Sequence, residues 1–174
     1  TPGAMAISRD LTIEAAGNIT QATGTHINVT GFADLTTTGN DITLGAGNSD
    51  AFTATTLRLS ADNVTVTDTA AGITFSGESV ITGTLELTAQ DTITDGANAT
   101  VSVGGAATFN VVASTGDILL DNANHLDGVV TVTAARDVVL NNTDSGTTLG
   151  DIDITGDLTV TTSGNLTQSG VLDV

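Results

Sequence analysis

A twelve-residue unit occurs near both ends of the chain and strongly limits what the sequence can fold into. It reads Asp-Leu-Thr-Ile-Glu-Ala-Ala-Gly-Asn-Ile-Thr-Gln at residues 10–21 and Asp-Leu-Thr-Val-Thr-Thr-Ser-Gly-Asn-Leu-Thr-Gln at residues 157–168. Apolar residues at alternate positions are typical of a β-strand with one buried face. The Gly-Asn pair tolerates a left-handed backbone and can turn the chain sharply. Each unit therefore predicts two short strands joined by a tight corner.

Weaker copies of this unit fill the interval between the two. The pattern apolar-x-apolar-x-small begins at seven positions, which are 21 to 28 residues apart: Leu11, Ala33, Leu57, Leu85, Phe109, Val130 and Leu158. A third short strand precedes many of them, for example at residues 27–29 and 101–104. Such short strands cannot bury a face alone, whereas stacked parallel turns share one core and satisfy their backbone hydrogen bonds. The sequence predicts an all-β fold, a parallel β-helix of six to seven turns with three strands per turn.

A β-sandwich is the main alternative, because several short strands with turn signals also describe that fold. A corner that recurs at the same offset seven times favours the β-helix. This interpretation makes a specific prediction about stacking. Leu57, Leu85, Phe109 and Val130 should lie one above the next.

The composition agrees with a narrow, repetitive interior. Aromatic residues make up only 2% of the 174 residues, so Val, Ile, Leu, Ala and Thr must fill the core. Disulfides do not hold it together, because the chain has no cysteine. We expect residues 1–6 to be an irregular start left by cloning. Residues 7–174 should form a single β-helical domain that is a fragment of a longer protein.

The charge excludes several classes of partner. The chain carries 20 acidic and three basic residues, for a formal net charge of −17. Such a surface repels phosphate backbones and anionic membranes, so nucleic-acid binding is not expected. No apolar run approaches the length of a membrane span, and we expect no direct membrane insertion.

Asparagine or aspartate occupies each of the seven corners, and these side chains form a predicted structural corner ladder. They are Asn18, Asn40, Asn63, Asp91, Asp117, Asp137 and Asn165. One hypothesis is a column of ligands for a cation. The simpler one is that each side chain hydrogen-bonds its own turn, which is what Asx residues commonly do. The simpler interpretation is favoured.

Metal and cofactor sites are not expected. Asn48 and Asp50 lie in an imperfect copy of a calcium-binding β-roll unit, but one copy is insufficient because each ion is shared between successive turns. They are weak metal candidates only. His26 and His125 stand alone in the sequence, without a second ligand at a suitable spacing, and are interpreted as surface residues.

An enzyme is not expected either. Parallel β-helices include polysaccharide lyases and hydrolases, and Asp151 and Asp153 should share a face next to Asp157, as a carboxylate pair requires. The chain nevertheless lacks the Trp and Tyr platforms that stack sugars, and it has only three arginines for an acidic substrate. Because of the possible carboxylate pair, a carbohydrate-active β-helix is kept as the alternative function, below the non-enzymatic one.

Threonine arrays suggest a third function class, an ice-binding β-solenoid. Examples are residues 36–38, Thr65-x-Thr67 and Thr159-x-Thr161. Ice binding needs a flat, regular ladder on successive turns. Charged residues such as Arg58 and Glu86 interrupt the threonines in the sequence, so this function ranks below the others.

The units at residues 10–21, 106–120, 129–140 and 157–168 resemble the repeats of filamentous haemagglutinin-like exoproteins. These are large secreted bacterial adhesins of the two-partner secretion type, with related passenger regions in autotransporters. The resemblance implies a right-handed parallel β-helix that projects from the outer membrane as a rod, secreted to the cell surface and anchored through the parent protein. It implies a structural stalk or adhesive passenger segment that mediates attachment to cells or surfaces.

The expected partners follow from this architecture. They are the neighbouring repeats of the parent protein and host-cell or surface glycans or proteins, bound through the variable loops at residues 45–52, 67–77, 94–99 and 141–148. The exposed end turns also predict end-to-end self-association, because an uncapped solenoid leaves its terminal faces open.

Overall fold

The structure, a computed structural model, describes residues 3–47, 50–143 and 146–174. These residues form twenty short strands and no helix. The strands are β1 (Ala4–Ile7), β2 (Leu11–Ala15), β3 (Ile19–Thr20), β4 (His26–Thr37), β5 (Ile42–Leu44), β6 (Ala51–Ala61), β7 (Val64–Asp68), β8 (Ile73–Phe75), β9 (Glu78–Ile81), β10 (Leu85–Ala89), β11 (Ile93–Asp95), β12 (Thr100–Val103), β13 (Ala107–Val111), β14 (Ile118–Leu126), β15 (Val129–Ala134), β16 (Val138–Asn142), β17 (Thr147–Asp153), β18 (Leu158–Thr162), β19 (Leu166–Gln168) and β20 (Leu172–Asp173).

Nothing in the described part of the chain forms a helix able to cross a membrane.

The strands stack into two parallel sheets that wrap one core. The first sheet has eleven strands and begins with β1, β2 and β4; the second has nine and runs through β3, β5, β7, β10, β13, β15, β17 and β19. Consecutive strands of the second sheet are separated by excursions through the first, so the chain winds rather than folding back. That path has eight levels, which makes a parallel β-solenoid of about eight turns.

The core is a set of aliphatic columns that run along the solenoid. In the second sheet Ile42 pairs with Val64, Val64 with Leu85, and Leu85 with Ala107. All four side chains are buried. A neighbouring column stacks Leu87, Phe109 and Val132, and each is fully buried. Because side chains alternate across a strand, each stacked pair buries its apolar atoms between two turns.

The predicted fold class is confirmed, with two differences in detail. The solenoid has about eight turns rather than six to seven, because the seven aligned repeat starts mix strands of the two sheets and so do not count the turns of either sheet. The three-strand turn is also not uniform, because β4, β6 and β14 each run continuously past a position where other turns break between two strands. A β-sandwich does not describe these pairings, which are parallel throughout the described residues.

The predicted stacking of four named residues is wrong. Leu57 lies in the first sheet, where it pairs with Ala33 and Phe75. Leu85 lies in the second sheet, and Phe109 pairs with Leu87 rather than with Leu85. The two sheets carry the same apolar-x-apolar pattern, so alignment by sequence matched strands from different sheets. The prediction of a solenoid still holds, because the alignment by sequence and the observed pairing both place apolar residues in the core.

Two further expectations need correction. Residues 4–6 are not irregular, because Ala4 to Ile7 form β1 and pair with β4; Thr1 and Pro2 lie outside the described residues. The loop expected at residues 67–77 contains β8, which buries Phe75 completely. The loops expected at 45–52 and 141–148 include residues outside the described ranges.

One glycine illustrates how closely the turns approach. Gly45 has a left-handed φ of 66°, and a Cβ there would collide with the carbonyl oxygen of Thr67 in the turn above. Any other residue would have to open this corner. The sequence shows this glycine only as a turn signal.

Candidate functional site

One polar column runs along the corner that leads into the second sheet. The backbone N–H of Asp41 donates to Asn18 Oδ1 (3.2 Å), and the N–H of Asn63 donates to Asp41 Oδ1 (3.2 Å). Thr84 continues the column, since its N–H donates to Asn63 Oδ1 (2.9 Å). Each side chain therefore caps a backbone donor of the next turn, as an N-cap residue does for a helix.

A second column with the same chemistry runs along the corner that leads into the first sheet. The N–H of Asp117 donates to Thr92 Oγ1 (3.2 Å), and the N–H of Asp137 donates to Asp117 Oδ1 (3.2 Å). The N–H of Asp157 then donates to Asp137 Oδ1 (2.9 Å). These bonds join successive turns where the strand ladder is interrupted.

The seven predicted corner residues do not form one ladder. The four asparagines lead into strands of the second sheet and the three aspartates into strands of the first. Asn40 Nδ2 donates to Thr38 O in its own turn (2.7 Å) and to Ala16 O in the preceding turn (3.3 Å). Asp91 Oδ1 accepts from the Thr92 N–H within its own turn (2.8 Å). Asn165 contributes its backbone carbonyl, which accepts from the Thr147 N–H (2.9 Å).

The expected own-turn bonding is thus wrong for most of the set. Asn18, Asn63, Asp117 and Asp137 each accept from the following turn. Sequence reasoning also missed Asp41, Thr84, Thr92 and Asp157 as members. The signal that could have found them is position, because each stands directly before the apolar residue that begins a strand.

Arg58 and Arg136 each form an ion pair with an aspartate of the preceding turn. Arg136 donates from Nε and Nη2 to Asp117 (2.9 and 2.7 Å), and its hydrogen bond to Asp117 raises the pKa of the guanidinium. Arg58 donates from Nε to Asp34 Oδ1 (2.9 Å) and lies over the Phe32 ring, 5.7 Å from its centroid. Both arginines therefore serve inter-turn contacts, with the planar geometry suited to a carboxylate.

A buried carboxylate interrupts the apolar core of the first sheet. Asp95 is 3% exposed and accepts from the N–H groups of Asp121 and Asn122, each at 3.0 Å, and from Asn124 Nδ2 at 2.6 Å. Burial raises the pKa of Asp95, and the hydrogen bond from Asn124 is the largest opposing influence. Both carboxylate oxygens are used, so the group joins two turns rather than facing a ligand.

Asp68 is a second buried carboxylate, with simpler contacts. It is 2% exposed, and its Oδ1 accepts from the N–H groups of Ala70 and Ala71, both at 2.9 Å. Burial raises the pKa of Asp68 despite these two bonds. Its function in the structure is to close the turn between β7 and β8.

Two buried amides replace missing backbone partners. Asn142 accepts from the Leu126 N–H (3.0 Å) and donates to the Leu126 carbonyl (2.9 Å). Gln21 accepts from the Gly45 N–H (3.0 Å) and donates to the Ala51 carbonyl (3.0 Å). An amide can do both because it carries a donor and an acceptor. These side chains hold turns together where a loop leaves the stack.

The weak metal candidates do not form a site within the described residues. Asp50 is buried, and its Oδ2 accepts from the Gly47 N–H (3.1 Å) while its Oδ1 accepts from the Gly24 N–H. Asn48 lies outside the described residues. Across residues 3–47, 50–143 and 146–174, no three His, Cys, Asp or Glu side chains come together as metal ligands would.

The remaining polar candidates are dispersed. His26 and His125 lie on strands β4 and β14, exposed and half-buried respectively. Asp151 and Asp153 flank the buried Ile152 on the outward side of β17, so they share a face as predicted. The Asp151 carboxylate accepts from the Val171 N–H (2.8 Å), which again joins two turns.

Two cavities within the described residues are each lined by a single ionisable side chain. A cavity of about 440 Å³ is lined by Glu14, Ala15, Ala16, Thr36 and Thr38. Another of about 390 Å³ lies at the first turn, beside Met5, Gln21 and His26. Neither contains two carboxylates that could act as an acid and a base.

A family model described as repeats of unknown function (DUF5649) matches the chain over residues 1–58, 61–133 and 135–174. The three segments cover almost the whole chain, and each spans more than one turn of the solenoid. No curated protein and no solved structure matches the chain significantly.

Proposed function

The chain belongs to the DUF5649 family of repeats of unknown function, and from that premise we propose that it is a structural stalk segment of a secreted bacterial surface exoprotein. On this proposal the segment holds an adhesive region away from the cell and can itself attach to cells or surfaces. The observation that carries the proposal is the continuity of the stack. One aliphatic core and two polar corner columns join successive turns along the solenoid.

Continuity of this kind suits a spacer. Each turn contacts only its neighbours, so length can be added by repetition without a new core. The Arg136–Asp117 pair and the buried amides add inter-turn bonds where the strand ladder is interrupted. The acidic exterior favours solubility and opposes lateral pairing of strands between molecules.

A carbohydrate-active enzyme is less well supported. Arg58 and Arg136 are already paired with aspartates, so they are not free to bind an acidic polysaccharide. The two cavities described above lack a carboxylate pair. An assay for new reducing ends or unsaturated products on a panel of polysaccharides would detect the activity if it exists.

The cell-surface location can be tested directly. Antibodies raised against this chain should label intact bacteria that express the parent protein. Labelling that appears only after the cells are permeabilised would contradict the proposal. A cytoplasmic protein expressed in the same cells serves as the control for intact membranes.

The adhesive part of the proposal concerns the exposed loops. Asn98 lies at the tip of the turn between β11 and β12, with a left-handed φ of 61°. Beads coated with the chain should adhere to host cells or surfaces, and Asn98→Gly should weaken adhesion without disturbing that backbone. If beads coated with the wild-type chain and beads coated with Asn98→Gly both fail to adhere, the adhesive part of the proposal is refuted and the stalk function stands.

A further inference from the structure

The outward face of the second sheet carries a column of threonines across six turns. Parallel pairing places six outward residues one above the next: Thr20, Thr43, Thr65, Glu86, Thr108 and Thr131. Five of the six are threonine, and all are exposed or half-buried. The column could not be found from the sequence, because it depends on the inter-turn register.

A second outward column lies two residues further along the same strands. Thr67 pairs with Thr88, and Thr88 pairs with Asn110. Neighbouring strands lie about 4.8 Å apart, and alternate residues along a strand about 6.6 Å apart. The hydroxyl and methyl groups therefore repeat in two directions. Threonine is stiff at χ1, so the strand also fixes these groups in orientation.

The array is almost uncharged on a strongly acidic molecule. Glu86 is the single charged residue among its nine positions, whereas the chain has a formal net charge of −17. Arg58, which interrupts the threonines in the sequence, belongs to the first sheet and pairs there with Asp34. Of the two charged residues that interrupt the threonines in the sequence, only Glu86 therefore lies in the array. Such a face suits a neutral and regular partner.

We propose that this array, the threonines of the outward face of the second sheet, is a binding surface for ice. Ice is neutral, and its faces present oxygen atoms at regular repeats. Fixed hydroxyls can hold a layer of ordered water, and the methyl groups between them limit competing hydrogen bonds. The rigid sheet loses little conformational entropy when it binds, which favours association with a flat solid.

Thermal hysteresis and inhibition of ice recrystallisation test the inference on the whole chain. The wild-type chain should show both, and Glu86→Thr should increase them because it completes the column. Thr108→Tyr places a bulky side chain in the middle of the column and should abolish them. Tyrosine is well tolerated in strands, so the fold should survive.

The matched control is Thr94→Tyr, on the outward face of the first sheet between Thr74 and Leu119. It should leave ice activity unchanged, and circular dichroism should show all four proteins folded. Absence of activity in both the wild type and Glu86→Thr overturns the proposal. An equal loss in the two tyrosine variants overturns it as well, because the second sheet would then have no special role.

Discussion

At the scale of single residues, polar side chains act as parts of the backbone. Asn18, Asp41 and Asn63 each accept an N–H of the following turn, and Asn142 both donates to and accepts from Leu126. Each satisfies groups that a strand partner would otherwise satisfy. The corners of the solenoid are therefore stabilised by side chains, and the faces by strand ladders.

Removing one corner acceptor should measure this contribution. Asp137→Ala leaves the Asp157 N–H without its acceptor and should lower the free energy of unfolding by about 0.5–2 kcal/mol. Asp137→Asn keeps an oxygen at Oδ1 and should cost less. Urea denaturation of the three proteins gives the comparison. Equal stability of the Ala and Asn variants would contradict the capping role.

The two buried carboxylates should respond differently to the same change. Asp95→Asn removes an acceptor, because both oxygens of Asp95 are used, and should cost roughly 1–3 kcal/mol. Asp68 uses only Oδ1, so Asn can make the same two bonds without burying a charge. Asp68→Asn should therefore stabilise the protein at pH 7.

The effect at Asp68 should depend on pH with a definite sign. Burial raises its folded-state pKa above the ordinary value of 3.8, so the folded state binds the proton more tightly than the unfolded state. This contribution is fully present below pH 3.8 and is lost as the pH rises through the folded-state pKa. The advantage of Asp68→Asn should consequently shrink in acid. Thermal unfolding at several pH values checks this, and an advantage that grows in acid would refute it.

At the scale of elements, the turn rather than the strand is the unit. Leu85 and Ala107 occupy the same position in successive turns, so residues 85–106 make up one complete turn. Long strands such as β4 and β6 cover two positions that other turns fill with two strands. Strand boundaries therefore vary while the stacking register is retained.

Deletion of a complete turn should therefore be tolerated. A chain without residues 85–106 joins Thr84 to Ala107, which then stacks on Val64 in place of Leu85. It should fold as a shorter solenoid, with some loss of stability because Asp95 and its bonds to Asn124 are removed. Deletion of residues 85–105 instead shifts the register by one residue, which exposes core residues, and should not fold. Circular dichroism and cooperative thermal unfolding distinguish the two, and similar behaviour would contradict the turn as the unit.

At the scale of the whole molecule, the two end turns are complementary. The backbone N–H groups of inward-facing residues donate to the following turn, as the Ile19 N–H does to the Asp41 carbonyl (2.9 Å). The backbone N–H groups of outward-facing residues donate to the preceding turn, as the Val112 N–H does to the Ala89 carbonyl (2.9 Å). In the 174-residue chain alone, β2 and β18 therefore present opposite sets of backbone groups, which allows head-to-tail contact only.

This chain should accordingly associate end to end as its concentration rises, and such a contact does not close on itself. Salt should promote association by screening the charge of −17. Thr12→Pro removes an outward-facing N–H at the open edge of β2 and should block association, whereas Thr12→Val should not. Sedimentation velocity provides the measurement. A strict monomer at high concentration in high salt would contradict the prediction.

The sequence alone determined the fold class. Alternating apolar residues, recurrent Gly-Asn corners and the near absence of aromatic residues predict stacked short strands around an aliphatic core. Short strands cannot bury a face alone, and a corner that recurs at the same offset favours stacked turns over a β-sandwich. The sequence also placed polar residues at the corners. These features are local, and local features are visible in a linear chain.

Only the tertiary structure decided which turn lies on which. The sequence placed Leu57 beneath Leu85, whereas the structure places Phe75 on Leu57 and Leu85 on Val64. It could not show that Asp137 bonds the Asp157 N–H or that Thr65 and Thr108 share a column. The reason is that strands of both sheets carry the same apolar-x-apolar pattern, so the pattern alone does not distinguish which strands stack. Corner geometry, loop length and the buried polar groups select one of them.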